Sequence, residues 1–227
     1  MPITTLPIVG DIELVTDRTQ ADVDRVKELA NIGWASMTDS ERQEWILGPD
    51  REIVWLDGEV MQCRDGIITA FVESGTNPGS YNYHDLNRVE TVVAYLPGLL
   101  DALPGELKQY AKDQGVAWEA IYDVPYAASS YAGIVTKTDW TVTDIPPETQ
   151  MARYLANVVK LRNVLEYATD DLPESMDKLD YAGANAIERA LWGLQIALDE
   201  LRERTEEIID RVAAAWYFSG DLFAGEV

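Results

Sequence analysis

Apolar residues recur along this chain with two different periods. From Ile187 the series Ile187, Leu191, Leu194, Leu198, Leu201, Thr205, Ile208, Val212, Ala215 advances by alternate steps of four and three. That is a heptad seam with one polar step, and it predicts a long helix over 181–215. Val23, Val26, Leu29 and Ala30 mark an earlier helix that Gly33 closes. Thr38, with Glu41 three residues on, opens a short helix to residue 47 as a capping box. Helices are also predicted over 82–96, broken at Pro97-Gly98, then over 105–114 and 147–168. The period changes to that of strands at Ile53-Val54-Trp55-Leu56 and at Ile67-Ile68, beside Asp57-Gly58 and Asp65-Gly66. Two Asp-Gly pairs flanked by β-formers predict a small meander of hairpins. Residues 1–15 read as an extended arm or edge strand, 116–145 as strands and loop, and 216–227 as a strand-and-turn end. The fold class is mainly α with a minor β part: repeated capped helices, small β-hairpins and a long C-terminal helix. Four segments follow: 1–47, 48–80, 81–145 and 146–227.

One helix opening recurs. Thr19-Gln-Ala-Asp22-Val23-Asp24-Arg25-Val26, Asn82-Tyr-His-Asp85-Leu86-Asn87-Arg88-Val89, Pro147-Glu-Thr-Gln150-Met151-Ala152-Arg153-Tyr154 and Asp180-Tyr-Ala-Gly183-Ala184-Asn185-Ala186-Ile187 align without gaps. The first column suits an N-cap or first turn, and the fourth can close a capping box. Columns five and eight put apolar residues on one face. Arg25, Arg88 and Arg153 occupy the seventh column. Each can pair with the acidic or amide residue three positions back or reach a neighbouring element. Any well-capped amphipathic helix shares part of this pattern. The irregular spacing of the copies argues against a solenoid.

Charge changes the picture of partners. Asp plus Glu number 40 against 18 Lys plus Arg, for a formal net charge of −22. Nucleic acid and anionic membranes are therefore poor partners, and the chain stays soluble at high local concentration. With 47% hydrophobic residues it has enough apolar material for a sizeable core. Cys63 is the single cysteine, which excludes an internal disulfide and a thiolate zinc site and suits a reducing compartment. Residues 1–15 lack the pattern of a signal peptide, and no apolar run nears the ~20 residues of a membrane span.

Catalytic residue types are sparse. His84, the only histidine, sits in a first helical turn beside Asp85 and reads as a cap neighbour. No H-E-x-x-H, G-x-S-x-G or P-loop pattern occurs. Paired carboxylates hydrolyse glycosides, but neither Glu59 with Asp65 nor Glu119 with Asp123 stands out among 40 acids. The stretch DLPESMDKLD at 171–180 lacks the glycine and spacing of a calcium loop and reads as a solvated linker. No catalytic residue, metal site or cofactor is expected. Most of the seven tryptophans should fill core and interfaces. Trp55 and Trp118, on predicted strands, are the candidates for a glycan platform.

Two stretches, YNYHDLNRVE and KTDWTVTDIPPETQMARYLANVVKLRNVL, resemble a pattern of structural tail proteins from phages and prophages of Gram-positive bacteria. That pattern runs W-T-x-x-D, then D-ϕ-N-R-ϕ-E-x-N-ϕ, with ϕ apolar. Trp140, Thr141, Asp144, Arg153 and Asn157 match it, as do Asp85, Leu86, Asn87, Arg88, Val89 and Glu90. LDYAGANAIERAL and YFSGDLFAGE look like the ends of such proteins. The resemblance covers 17–34, 80–96 and 137–227. Gln150 and Ala152 depart from it, and 48–79 has no counterpart. It implies a virion part near the tail tip, baseplate or fibre attachment, with no catalytic residues. The expected protein is a non-enzymatic structural component that forms a homo-oligomer, a trimer or hexamer, and links neighbouring tail proteins. It would reside in the virion tail, and in the host cytoplasm during assembly. The alternative is a host-surface carbohydrate-binding module on the same particle. The heptad residues Ile187, Leu191, Leu194, Leu198, Leu201, Ile208 and Val212 are the candidate oligomer interface. The same stripe also suits an intramolecular bundle with the 82–96 and 147–168 helices.

Overall fold

A computed structural model describes residues 7–49, 51–56, 59–64, 67–71, 77–121, 130–165 and 171–223, with side chains given only in part within 51–71 and none past 215. The chain is mainly helical. A tight hairpin, β1 (Ile8–Val9) and β2 (Ile12–Glu13), turns on Gly10 at φ 59°. Then come α1 (Gln20–Ile32) and α2 (Asp39–Leu47), each opened by a capping box, Thr19 with Asp22 and Thr38 with Glu41. The antiparallel meander β3 (Arg51–Leu56), β4 (Glu59–Arg64) and β5 (Ile67–Phe71) follows in sequential order. Three helices complete the chain: α3 (Tyr83–Asp113), α4 (Glu148–Arg162) and α5 (Tyr181–Phe223).

The long helices run parallel. Arg88 meets Glu188, Glu106 meets Arg202 at 2.6 Å and Tyr110 meets Asp210 at 2.9 Å, a register offset near one hundred residues. On the other flank of α3, Arg153 of α4 meets Glu90. Parallel neighbours need long return connections. One of them, residues 131–140, runs back along α3, with Tyr131 on Asp101, the Lys137 N–H on Glu90 and Trp140 on Asn87.

The expected break at Pro97-Gly98 does not occur: α3 continues through Pro97 and Pro104. Each interior proline costs about 3 kcal/mol of helix propensity. Against this, Leu96, Leu100, Leu103 and Leu107 are all at most 2% exposed, and each fully buried leucine contributes about 1.5–3 kcal/mol. Leu86, Val89, Val93, Leu96, Leu100, Leu103 and Leu107 form a second heptad stripe, in steps of three and four, that runs straight across both prolines. This stripe and that of α5 share one core with Tyr154, Val158 and Leu161 of α4.

The candidate oligomer interface is corrected by this packing. Ile187, Leu191 and Leu194 are fully buried and Leu198 is 4% exposed, all within the chain's own core. Leu201 packs on that core, and Val212 packs on a smaller cluster of Ala111, Val116 and Ile209. Ile208 is half-buried. Heptad spacing specifies a stripe without naming its partner, and α3 of the same chain supplies the matching one at higher effective concentration than any second copy.

Two element expectations also change. No strand occurs among the described residues of 116–145; that region holds a 3₁₀ turn at Trp118–Ala120 and an extended return. The strand expected from Trp216 is helical, because α5 continues to Phe223. The end of α4 falls at Arg162, and the rest of its predicted span to 168 is partly outside the described residues.

Candidate functional site

The recurring helix openings converge on one interlock of buried charges. Asp85 and Arg88 on α3, Glu188 on α5 and Arg18 just before α1 all lie at or near full burial. Arg18 Nη2 stands 2.9 Å from Asp85 and 2.6 Å from Glu188, and its Nη1 donates to the Val15 carbonyl. Arg88 reaches Glu188 from Nε at 3.0 Å and Nη2 at 2.8 Å, and also meets Asp85. Two cations thus face two carboxylates. Burial alone would raise the Glu188 carboxyl, but Arg88 and Arg18 outweigh it and hold it below the usual range. Tyr81 and Tyr154 share a hydroxyl–hydroxyl hydrogen bond beside the cluster, and burial pushes both phenols up.

Around the interlock a clamp is built twice with the same geometry. On α3, Asn87 Oδ1 accepts from the Trp140 N–H at 2.7 Å, and its Nδ2 donates to the Trp140 carbonyl at 2.9 Å. Three residues on, Glu90 accepts from the Lys137 N–H at 3.0 Å. On α5, Asn185 Oδ1 accepts from the Arg18 N–H at 3.0 Å, and its Nδ2 donates to the Arg18 carbonyl at 2.8 Å. Three residues on, Glu188 accepts from the Val15 N–H at 2.7 Å. In both units an Asn-x-x-Glu helix face holds an extended strap by the backbone of one residue and the N–H three residues before it. The straps also echo each other. Thr16-Asp17-Arg18-Thr19-Gln20-Ala21-Asp22 and Thr138-Asp139-Trp140-Thr141-Val142-Thr143-Asp144 share T-D-x-T-x-x-D, and the Thr141 N–H bonds Asp144 at 2.8 Å as the Thr19 N–H bonds Asp22 at 2.7 Å.

The glutamate of each clamp also grips the arginine of the next helix opening. Glu188 of α5 takes Arg88 of α3, and Glu90 of α3 takes Arg153 of α4 at 2.6 and 3.1 Å. The series stops at both ends. At the α5 end Ala186 stands where α3 has Arg88, and at the α4 end Leu155 stands where α3 has Glu90. Arg25 of the first copy makes its own junction, holding α1 to α2 through Glu44 at 2.8 and 2.6 Å. In all three arginine-bearing copies the seventh-column arginine reaches a neighbouring element. Of the residues singled out in sequence, Asp85, Asn87, Arg88 and Arg153 therefore join one network, Arg25 a separate one, and Asp22 caps α1. Arg18 and Glu188 were missed.

The clamp carries a stability prediction. Asn87→Ala leaves the N–H and carbonyl of Trp140, a residue only 4% exposed, without partners, at about 1–3 kcal/mol for each unsatisfied group. Asn185→Ala should cost a similar amount by the same geometry. Urea unfolding of the two variants checks this, and a change below about 0.5 kcal/mol in either would show that water replaces the bonds.

Beside the interlock, at the N-terminal end of the long helices, lies an open cleft of about 880 Å³. Trp34, Trp45, Tyr83, Trp140, Met151 and Met176 line it, with few charges among the remaining walls. Volumes of this order are typical of ligand sites. His84 is in the wall, its ring 3.8 Å from that of Tyr83. Trp118, one of the two expected glycan platforms, is not among the walls of the cleft. Trp118 is half-buried against both apolar clusters and carries Lys108 Nζ 5.9 Å from its ring centre, so it is engaged in the fold. The Trp55 side chain lies outside the described residues. No group of three or more His, Cys, Asp or Glu placed to hold a metal occurs among the described residues, and no described helix is long and apolar enough to cross a membrane. No family model matches the chain, and no curated protein or solved structure matches it either.

Proposed function

We propose that this chain is a non-enzymatic structural component of a phage tail, placed at the tail tip, baseplate or fibre attachment, where it associates with copies of itself and with neighbouring tail proteins. One observation supports this reading above the others. The polar residues that carry the resemblance to tail proteins are engaged in fastening. Asn87 holds the Trp140 backbone, Glu90 holds Arg153, and Asp85 and Arg88 join Glu188 and Arg18. A motif used in this way makes a rigid block of parallel helices, which suits a part that bears load and presents surfaces. A net charge of −22 keeps such a part soluble before assembly.

The test is location. Mass spectrometry and immunogold labelling of purified particles should find the protein in the tail, and deletion of its gene should leave heads without functional tails. Complete absence from washed particles would overturn the reading. An activity test is separate: release of reducing sugar from wall preparations, lost on a single Asp or Glu replacement, would overturn the non-enzymatic part.

A further inference from the structure

The heptad stripe of α5 is closed inside the chain, so self-association needs another surface. The cleft beside the interlock and its lip carry the two halves of one. The hollow half is the cleft itself, about 880 Å³, which has room for a turn of chain rather than a single side chain. Several of its polar groups are already engaged. Asn77 donates to the carbonyls of Glu44 and Trp45 and accepts from the Gly79 N–H. Asn82 accepts from the His84 N–H and donates to Ser80 Oγ. The Tyr81 hydroxyl is bonded to that of Tyr154, and Asp144 accepts from Thr141. A sugar gives up hydrogen bonds to water on entry and needs replacements that these groups do not offer, whereas apolar side chains need none.

The projecting half stands on the lip. Val142, Asp144 and Pro146 line the cleft, while Ile145 between them does not. Ile145 is 91% exposed and Val142 80%, the two most exposed large apolar side chains among the described residues. The turn that presents them is fixed on both sides. Before it, Asn87 clamps the Trp140 backbone. Across it, the Thr141 N–H meets the Asp144 carboxylate at 2.8 Å and the Asp144 N–H meets the Thr141 carbonyl at 3.0 Å. After it, Pro146 and Pro147 restrict the backbone up to the start of α4. Trp34 in the cleft wall is held as well, with the Arg42 guanidinium 5.6 Å from its ring centre. Surfaces ordered in advance lose little conformational freedom on contact.

We infer that two copies meet across this lip about a two-fold axis, with the Val142–Ile145 turn of each entering the cleft of the other. A two-fold contact needs a knob and a hollow on one patch, and this patch has both. It also needs charges that answer their own copies. Asp177 and Lys178 are adjacent, exposed and in the same wall, and the two-fold sets Lys178 of each copy against Asp177 of the other. Apolar burial with local charge pairing is the form of association open to partners that each carry −22. This inference rests on the structural reading above and supplies its self-association surface.

The test uses the full chain in analytical ultracentrifugation. The unaltered chain should sediment as a monomer–dimer equilibrium. Ile145→Asp should weaken dimerisation at least about thirtyfold with unchanged helical circular dichroism, since the side chain is exposed in the single chain. Trp34→Ala should weaken it about tenfold. A monomeric unaltered chain at high concentration would overturn the inference and leave the virion test standing on its own. Species that grow beyond the dimer, or dimers that survive Ile145→Asp, would overturn it too. The charges give a second measurement. Lys178→Asp should weaken dimerisation about twofold to fivefold, and adding Asp177→Lys should restore it. Unchanged association in Lys178→Asp, or no restoration by Asp177→Lys, counts against the two-fold pairing. A photo-crosslinking p-benzoylphenylalanine in place of Ile145 should give a covalent dimer, with the adduct on the peptides that carry Trp34 or Met176. An adduct on any other surface would place the turn outside the partner's cleft and sink the proposal.

Discussion

Replacing Glu188 by glutamine should lower the unfolding free energy by about 3–5 kcal/mol, the usual cost of breaking a buried ion pair from one side. The size follows from what remains. Glu188 is fully buried and faces two guanidinium groups, from Arg18 and Arg88. Without its charge, two buried cations are left with Asp85 alone. Glutamine preserves the shape and can still accept from the Val15 N–H, so the loss is chiefly that of charge compensation. Chemical denaturation at neutral pH checks the value. A loss below about 1 kcal/mol would mean that water enters the interlock and solvates the arginines.

The same substitution should alter the pH profile. The folded Glu188 carboxyl is held below its ordinary range, so the folded state favours its ionised form more than the unfolded chain does. Its contribution is fully present above the unfolded pKa, about 4.3, and is lost as the pH falls through the lower folded value. Acid unfolding of the unaltered chain should therefore steepen below about pH 4. The capping carboxylates Glu41 and Asp144, lowered chiefly by backbone hydrogen bonds from Thr38 and Thr141, act in the same direction. In Glu188→Gln the acid limb should be shallower. An unchanged limb would show that Glu188 does not titrate below its unfolded value.

Leu194→Asp should abolish cooperative folding. Leu194 is fully buried between α3 and α5, and a carboxylate there has no cation to meet and no water. A buried unpaired charge belongs to the small class of substitutions that cost more than about 4–5 kcal/mol. The outcome separates two uses of the same stripe. A seam between chains would yield a folded monomer of unchanged helicity, whereas a seam within the chain loses its near-ultraviolet signal and its cooperative melt together. Ile196→Asp is the matched control. Ile196 is 38% exposed on another face of the same helix, and its substitution should stay within about 0.5 kcal/mol.

Local chemistry was legible wherever the deciding interaction spans three or four residues. Thr19, Thr38 and Asn82 were readable as caps because their partners Asp22, Glu41 and Asp85 lie three positions on. The meander was readable from strand runs divided by Asp-Gly. Two kinds of error came from trusting local preference against the core. Pro97-Gly98 argued for a break, yet the stripe of Leu96, Leu100, Leu103 and Leu107 continues across it. Trp216, Tyr217 and Phe218 argued for a strand, yet the helix propagates through them. The clamp was half visible. Asn87 with Glu90 and Asn185 with Glu188 share a spacing, and T-D-x-T-x-x-D occurs in both straps. Comparing those echoes would have pointed to the duplication.

The sequence by itself determined the helical caps, the meander, the heptad stripe of α5 and the strong acidity, because each depends on residues close together along the chain or on composition alone. Only the tertiary structure decided that the α5 stripe closes on α3, and that Arg18 and Glu188, 170 positions apart, meet over Asp85 and Arg88. Periodicity states that a face is apolar and spacing states that a side chain can reach. Which surface covers the face, and which charge is reached, depend on how the chain returns between its parallel helices.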